Sequence, residues 1–260
     1  MLRGMRSPRG RRERLEASHT PAAIRARLRG GPDHSYLRDF VYGAIDGAVT
    51  TFAVVAGATG AHLAAGLVLV FGFANLLADG FSMAVSNYLG TRAEEQRRSR
   101  LRAEESLSLD AFPEGEREEV RQMFEAKGIT GDTLERVVAV ITGDRSLWVE
   151  TMLREEYGLP VTGRSAARAG VSTFVAFMLA GAVPLVVFVV DLFWPGAIPA
   201  VIWWSGGMTA AVFFGTGAAK ARVVDESWWR SGIETLALGG GAALLAYAVG
   251  WLLQGFAASA

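Results

Sequence analysis

The chain has 260 residues, 51% of them hydrophobic, with 26 basic and 26 acidic side chains and a formal net charge of zero. It contains no cysteine, which excludes disulfides, thiolate metal sites and cysteine nucleophiles together. Charged residues are sparse between Phe40 and Gly90 and again between Ser165 and Phe256. Each run supplies more than one apolar stretch of about 20 residues, the length that spans a bilayer core, so a wholly soluble protein is excluded as well.

Residues 1–35 are rich in arginine but have no apolar core segment, so they are not a secretory signal. They are expected to form a disordered cytoplasmic tail. Neither aromatic residues nor a motif accompanies the arginines, which argues against nucleic-acid binding.

Residues 36–90 are too long for one apolar span and break at Gly60-Ala61-His62, which predicts two helices. Asp46 falls inside the first and Asp79 inside the second. An ionisable side chain there costs several kcal/mol unless it faces a bundle interior or a water-filled path. Asn75, Asp79, Ser82, Met83 and Ser86 recur at helical spacing, so one stripe carries carboxylate, amide, hydroxyl and thioether groups. Oxygen ligands beside one soft sulfur suit a first-row divalent cation better than Ca²⁺ or Mg²⁺, and the carboxylates are also able to exchange protons. The structural alternative is that the two aspartates only join helices and Met83 only fills a core. Gly43 and Gly47 form a pair of small residues one turn apart, expected at a dimer interface that brings Asp46 near its symmetry mate.

Residues 91–163 hold the acids: sixteen Asp and Glu against eleven Lys and Arg between Thr91 and Pro160. The segment reads as an all-helical insert. Its first helix, Thr91–Ser108, continues out of the second span, and its second begins at Pro113. Asp132–Ile141 and Ser146–Tyr157 complete it, with Leu134, Val137, Val138, Ile141, Trp148 and Leu153 at helical spacing. Glu104, Glu105, Glu116 and Glu119 lie on two neighbouring helices, and Met152 and Glu156 share a face of the last one. These faces form either a metal site or an ordinary solvated surface; spacing alone does not separate the two.

Residues 164–260 supply three further candidate spans, about Ala166–Val190, Ile198–Ala219 and Ile233–Phe256, with Trp228, Trp229 and Trp251 at depths typical of interfacial aromatics. The fold class is therefore all-α: a polytopic membrane protein of about five transmembrane helices with a helical insert between spans 2 and 3. Basic residues in the tail, the insert and the Lys220–Arg230 loop put the N-terminus and insert in the cytoplasm and the C-terminus outside.

Tyr42-Gly43-Ala44-Ile45-Asp46-Gly47-Ala48-Val49-Thr50-Thr51, with Ala78-Asp79-Gly80-Phe81-Ser82-Met83-Ala84 and Asn87-Tyr88-Leu89, resembles the vacuolar iron transporter family, including its bacterial members. Pro113–Val120 and the run from Trp148 to Leu159 resemble that family's cytoplasmic acidic helices. The resemblance covers about Tyr36 to Phe256. It implies a homodimer with five spans per subunit in the bacterial inner membrane, exporting Fe²⁺, or Mn²⁺, Co²⁺ or Zn²⁺, from the cytosol in exchange for protons, with no resident cofactor. It also implies that Asp46 and Met83 line the path and that Glu105, Glu116, Glu119, Met152 and Glu156 bind metal in the insert. The chain departs from the iron-transporting pattern at three positions: Asn75 and Ser108 each stand where a Glu is expected, and Leu153 where a second Met is expected. Asp79 is expected to replace the carboxylate missing at Asn75. The competing functions are a membrane-anchored metal sensor that transports nothing and, more weakly, an intramembrane hydrolase using paired aspartates.

Overall fold

A computed structural model describes residues 8–30, 36–160, 163–224 and 226–257. They form two compact units, residues 1–35 and residues 36–260.

In the first unit, helices α1 (Pro8–Ser18) and α2 (Pro21–Gly30) occupy the described residues, where the composition led us to expect disorder. The reason is local. Arg12 pairs with Glu16 one turn on at 3.0 Å, the Thr20 hydroxyl accepts from the Ala23 amide at 3.3 Å, and Pro21 sits at the first turn of α2, where its missing N–H costs nothing.

The second unit is all helical. Helix α3 (Leu37–Gly60) ends at the expected break, where His62 takes a left-handed conformation (φ 56°). Helix α4 (Ala65–Ala111) then runs 47 residues without interruption, about 70 Å, out of the apolar region and into the insert. Three short helices follow: α5 (Pro113–Glu125), α6 (Gly131–Thr142) and α7 (Arg145–Glu155). Pro113 opens α5, and the Asp144 carboxylate caps α7 by accepting from the Ser146 and Leu147 amides at 2.8 and 3.1 Å. The chain returns through α8 (Ala166–Phe193), α9 (Val201–Val224) and α10 (Trp228–Ala257).

Among the described residues, α3, α4, α8 and α10 are long and apolar enough to cross a membrane. Helix α9, the expected fourth span, has the length at 24 residues. It carries Trp203, Trp204, Ser205, Gly206, Gly207 and Thr209 in place of a continuous aliphatic run. Ser205 and Thr209 are turned fully into the bundle; the Ser205 hydroxyl donates to the Pro184 carbonyl inside α8 at 2.7 Å, and Thr209 donates to Ser205 at the same distance.

Close packing decides the partner of α3. A Cβ on Gly43 or Gly47 would collide with the backbone carbonyl of Thr173 or Phe177, so the two glycines let α3 lie directly on α8. That contact corrects the expectation that this pair faces a second subunit: the small-residue face is used up within the chain. Ala44, Ala48, Ala176 and Ala180 continue the same seam, closed by Phe213 of α9. A larger cluster of Val55, Val68, Leu76, Phe177, Leu185 and Phe188 joins α3, α4 and α8.

The insert has its own core, in which Val120, Leu134, Val138, Ile141 and Met152 are all buried. Polar ties fix it to α4 and to itself. Arg145 donates to both Asp110 oxygens, at 2.5 and 2.8 Å, and to the Ser106 carbonyl, while Arg121 joins α5 to Glu135 of α6 through two hydrogen bonds.

Candidate functional site

Among the described residues, the apolar region brings a group of chemically useful side chains together between α3 and α4. Asp46 of α3 and Asp79 of α4 are both half-buried and near enough for their charges to act on each other. Asn75, one turn before Asp79, donates from its side-chain nitrogen to Asp79 Oδ2 at 2.5 Å. The opposite assignment of that amide would set two acceptors against each other. With the nitrogen so engaged, Asn75 Oδ1 is buried and has no hydrogen-bond partner among the described residues. A buried carbonyl oxygen without a donor is costly, and a cation satisfies it as well as a proton donor does. Met83, one further turn along the stripe, packs at the edge of the core cluster. Ser82 and Ser86 are exposed and stand outside the group. The arrangement offers two carboxylates, one amide oxygen and a nearby thioether. Two carboxylates near each other in an apolar region repel, and a divalent cation bound beside them would offset that repulsion.

A second polar knot lies where α3, α4 and α8 meet at one end of the apolar region, and sequence reasoning missed it. Asp39, 5% exposed, forms an ion pair with Arg164 and accepts from Asn87 Nδ2 at 3.0 Å. Asn87 also reaches Thr173 Oγ1 at 2.7 Å. The Arg164 guanidinium lies 5.4 Å from the centre of the Tyr36 ring, and the Tyr36 hydroxyl accepts from the Ser165 amide at 3.1 Å. Asn87 was visible in the second-span motif, but nothing local to it named Asp39 or Arg164 as partners.

In the insert, Glu105 and Glu116 are buried, whereas Glu119 and Glu156 are exposed beside them. The Tyr157 hydroxyl donates to Glu105 Oε1 at 2.8 Å. Glu105 Oε2 and Glu116 Oε2 are buried without a hydrogen-bond partner among the described residues. Burial, and then the charges of Glu105, Glu119 and Glu156, push the Glu116 carboxyl up to about 7, with a hydrogen bond from Ser108 pulling the other way. Burial likewise raises Glu105, opposed by the Tyr157 hydrogen bond. Tyr157 is raised by its own burial and by its hydrogen bonds to Glu105 and Glu156.

The four expected carboxylates therefore share one electrostatic neighbourhood, and Ser108 faces Glu116. They are not closed round a single point: among the described residues no three His, Asp or Glu side chains are grouped to hold one ion. Met152 is fully buried in the apolar core of the insert, and Leu153 packs with Leu109 and Val149. Helical spacing put Met152 on a face with Glu156, but the apolar side of that face is the one that docks, so its sulfur serves packing in this conformation.

Residues 37–251 match the family model described as VIT family. The chain is 29% identical over 219 residues to vacuolar iron transporter 1 of Arabidopsis thaliana, covering 84% of this chain and 86% of that protein. It is 31% identical over 225 residues to the vacuolar iron transporter of Toxoplasma gondii, covering 84% and 74%. Vacuolar iron transporter 2 of Oryza sativa is 28% identical over 220 residues, covering 84% and 87%.

Proposed function

Because the chain belongs to the VIT family, we propose that it is a transporter and not an enzyme, carrying a divalent transition metal, Fe²⁺ first and Mn²⁺ second, out of the cytosol in exchange for protons. The observation that carries this is the cluster of Asp46, Asp79 and Asn75 between α3 and α4. Two facing carboxylates and an amide oxygen with no donor, in an apolar region, are what a desolvated divalent cation requires. Met83 supplies the soft contact on the same stripe.

In this reading the insert is cytoplasmic and collects the ion at Glu105, Glu116, Glu119 and Glu156. The ion then passes along α4 to Met83, Asp79 and Asp46. A carboxylate that has released its metal takes up a proton before the next cycle, which gives the exchange its stoichiometric partner. The working unit is a homodimer with both N-termini in the cytoplasm and both C-termini outside. Its interface is formed by faces other than the Gly43–Gly47 seam, which α8 occupies.

Uptake of Fe²⁺, Mn²⁺, Co²⁺ and Zn²⁺ into liposomes holding the full chain, under an imposed pH gradient, tests the reading. Metal entry with opposite proton movement is expected. Binding without entry would identify a membrane-anchored sensor instead.

A further inference from the structure

Two polar rungs join α3 to α4. Asp46 and Asp79 form one, close enough for their charges to act on each other; Asp39 and Asn87 form the other, hydrogen-bonded at 3.0 Å. Seven residues separate the two acids of α3, which sets Asp39 about 10.5 Å along the helix from Asp46 and only about 20° round it. On α4, Asn87 follows Met83 by one turn in the direction of the insert. The Asp39 rung therefore lies between the insert and the Asp46–Asp79 pair, on the side from which the proposed path brings its cation.

This rung is closed by a residue from outside α3 and α4. Arg164, two residues before α8, pairs with Asp39 Oδ2, while Asn87 Nδ2 holds the other carboxylate oxygen. Asp39 is 5% exposed but the Arg164 side chain is 33% exposed, so the guanidinium stands on the water side of the acid. A buried ion pair repays its desolvation only when every donor is met, and this one falls short: Arg164 Nε is buried with no hydrogen-bond partner among the described residues. The Tyr36 ring, whose centre lies 5.4 Å from the guanidinium carbon, offers Arg164 a second resting place once it leaves Asp39.

We propose that Arg164 is a tethered counter-cation that gates the cytoplasmic end of the path. An arriving divalent cation displaces it from Asp39, and Asp39 holds that cation before it moves on to Met83 and the Asp46–Asp79 pair. The ion brings Asp39 twice the charge of the guanidinium, and Asn87 keeps the carboxylate in place during the exchange. The direction of movement rests on the transport reading; the competition between Arg164 and a cation for Asp39 does not.

Thermal unfolding of the full chain in detergent, with and without Mn²⁺, tests the competition. Arg164→Gln frees Asp39, and without metal it should unfold at a lower temperature than the unaltered chain. Mn²⁺ should then raise its midpoint by at least about 3 °C more than it raises that of the unaltered chain. Adding Asp39→Asn to Arg164→Gln should remove this extra rise. Equal responses to Mn²⁺ in the single and double variants would overturn the site and leave the pair as a structural tie. Mn²⁺ uptake into liposomes tests the gate. Arg164→Lys keeps the charge but gives up the guanidinium fork, so half-maximal uptake should need at least about threefold less metal than in the unaltered chain. A requirement unchanged or raised would overturn the gate. Should Arg164→Gln fail to fold at every metal concentration, Arg164→Lys decides alone. An unaltered chain that moves no Mn²⁺ would overturn the transport reading, and the midpoints would still decide whether Asp39 takes a cation.

Discussion

The side-chain amide of Asn75 donates to the carboxylate of Asp79 one turn further along α4, so the neutral residue of the pair orients the acid beside it. With its nitrogen committed to Asp79, Asn75 turns only an oxygen toward whatever else enters the site. The pair together supplies one negative charge and one neutral oxygen.

Asp79→Asn should therefore abolish metal-driven proton movement and lower metal flux by about tenfold or more, because Asp46 would be left as the lone carboxylate in each chain. Asn75→Glu combined with Asp79→Asn should restore part of it. Proton and metal fluxes in liposomes measure both, and an Asp79→Asn protein that transports like the unaltered one would make Asp79 a structural acid.

Glu116 gives the insert a pH dependence whose sign is fixed. Its carboxyl lies near 7 in the folded chain against an ordinary 4.5, so the fold prefers the protonated form. The stability this contributes is fully present below about 4.5 and is lost as pH rises through about 7. Thermal unfolding of the full chain in detergent should show the unaltered protein losing stability between pH 5 and pH 8. Glu116→Gln should flatten that trend.

The same carboxyl must give up its proton when a cation binds. Calorimetric titration of the full chain with Mn²⁺ near pH 6.5 should give heats that vary with the buffer's ionisation enthalpy, reporting proton release. Glu116→Ala with Glu119→Ala should remove most of that dependence. Identical heats in both proteins would return the acidic face to ordinary solvation.

Removing Arg164 strands a buried charge. Arg164→Ala leaves Asp39 with only the Asn87 amide, and the loss of stability should be about 3–5 kcal/mol. Asp39→Asn combined with Arg164→Gln should cost less, since neither member then carries an uncompensated charge. Thermal midpoints of the three proteins compare directly.

Gly47→Ala should destabilise the bundle by about 1–3 kcal/mol, since the added methyl would strike the Phe177 backbone carbonyl. Gly66→Ala, where nothing stands within 4 Å, is the control and should be neutral or slightly stabilising. Equal midpoints in the two variants would mean that α3 and α8 are less tightly packed than described.

Features written in consecutive residues were legible in the sequence. The break at Gly60-Ala61-His62, the run of α4 past Gly90 and the opening of α5 at Pro113 all follow from local composition and punctuation. The stripe of Asn75, Asp79 and Met83 followed from period alone, and its facing Asp46 from the cost of an acid in an apolar span. Partner choice was not legible. A glycine pair one turn apart announces a close helix contact but does not say with which helix, and α8 took the place expected for a second subunit. Arg164 lies 125 positions from Asp39, beyond the reach of any spacing rule. Met152 shows the limit of face arguments: one helical face can be half acidic and half core, and packing decides which half reaches water.

No break separates Asn75 from Glu105 on α4. About 45 Å of continuously hydrogen-bonded backbone joins the two positions, with no joint at which a displacement could be absorbed. A shift of the helix at the acidic cluster is therefore not taken up by a hinge before it reaches the Asn75–Asp79 stripe, so the two ends of α4 are joined by one rod and not by two independent segments.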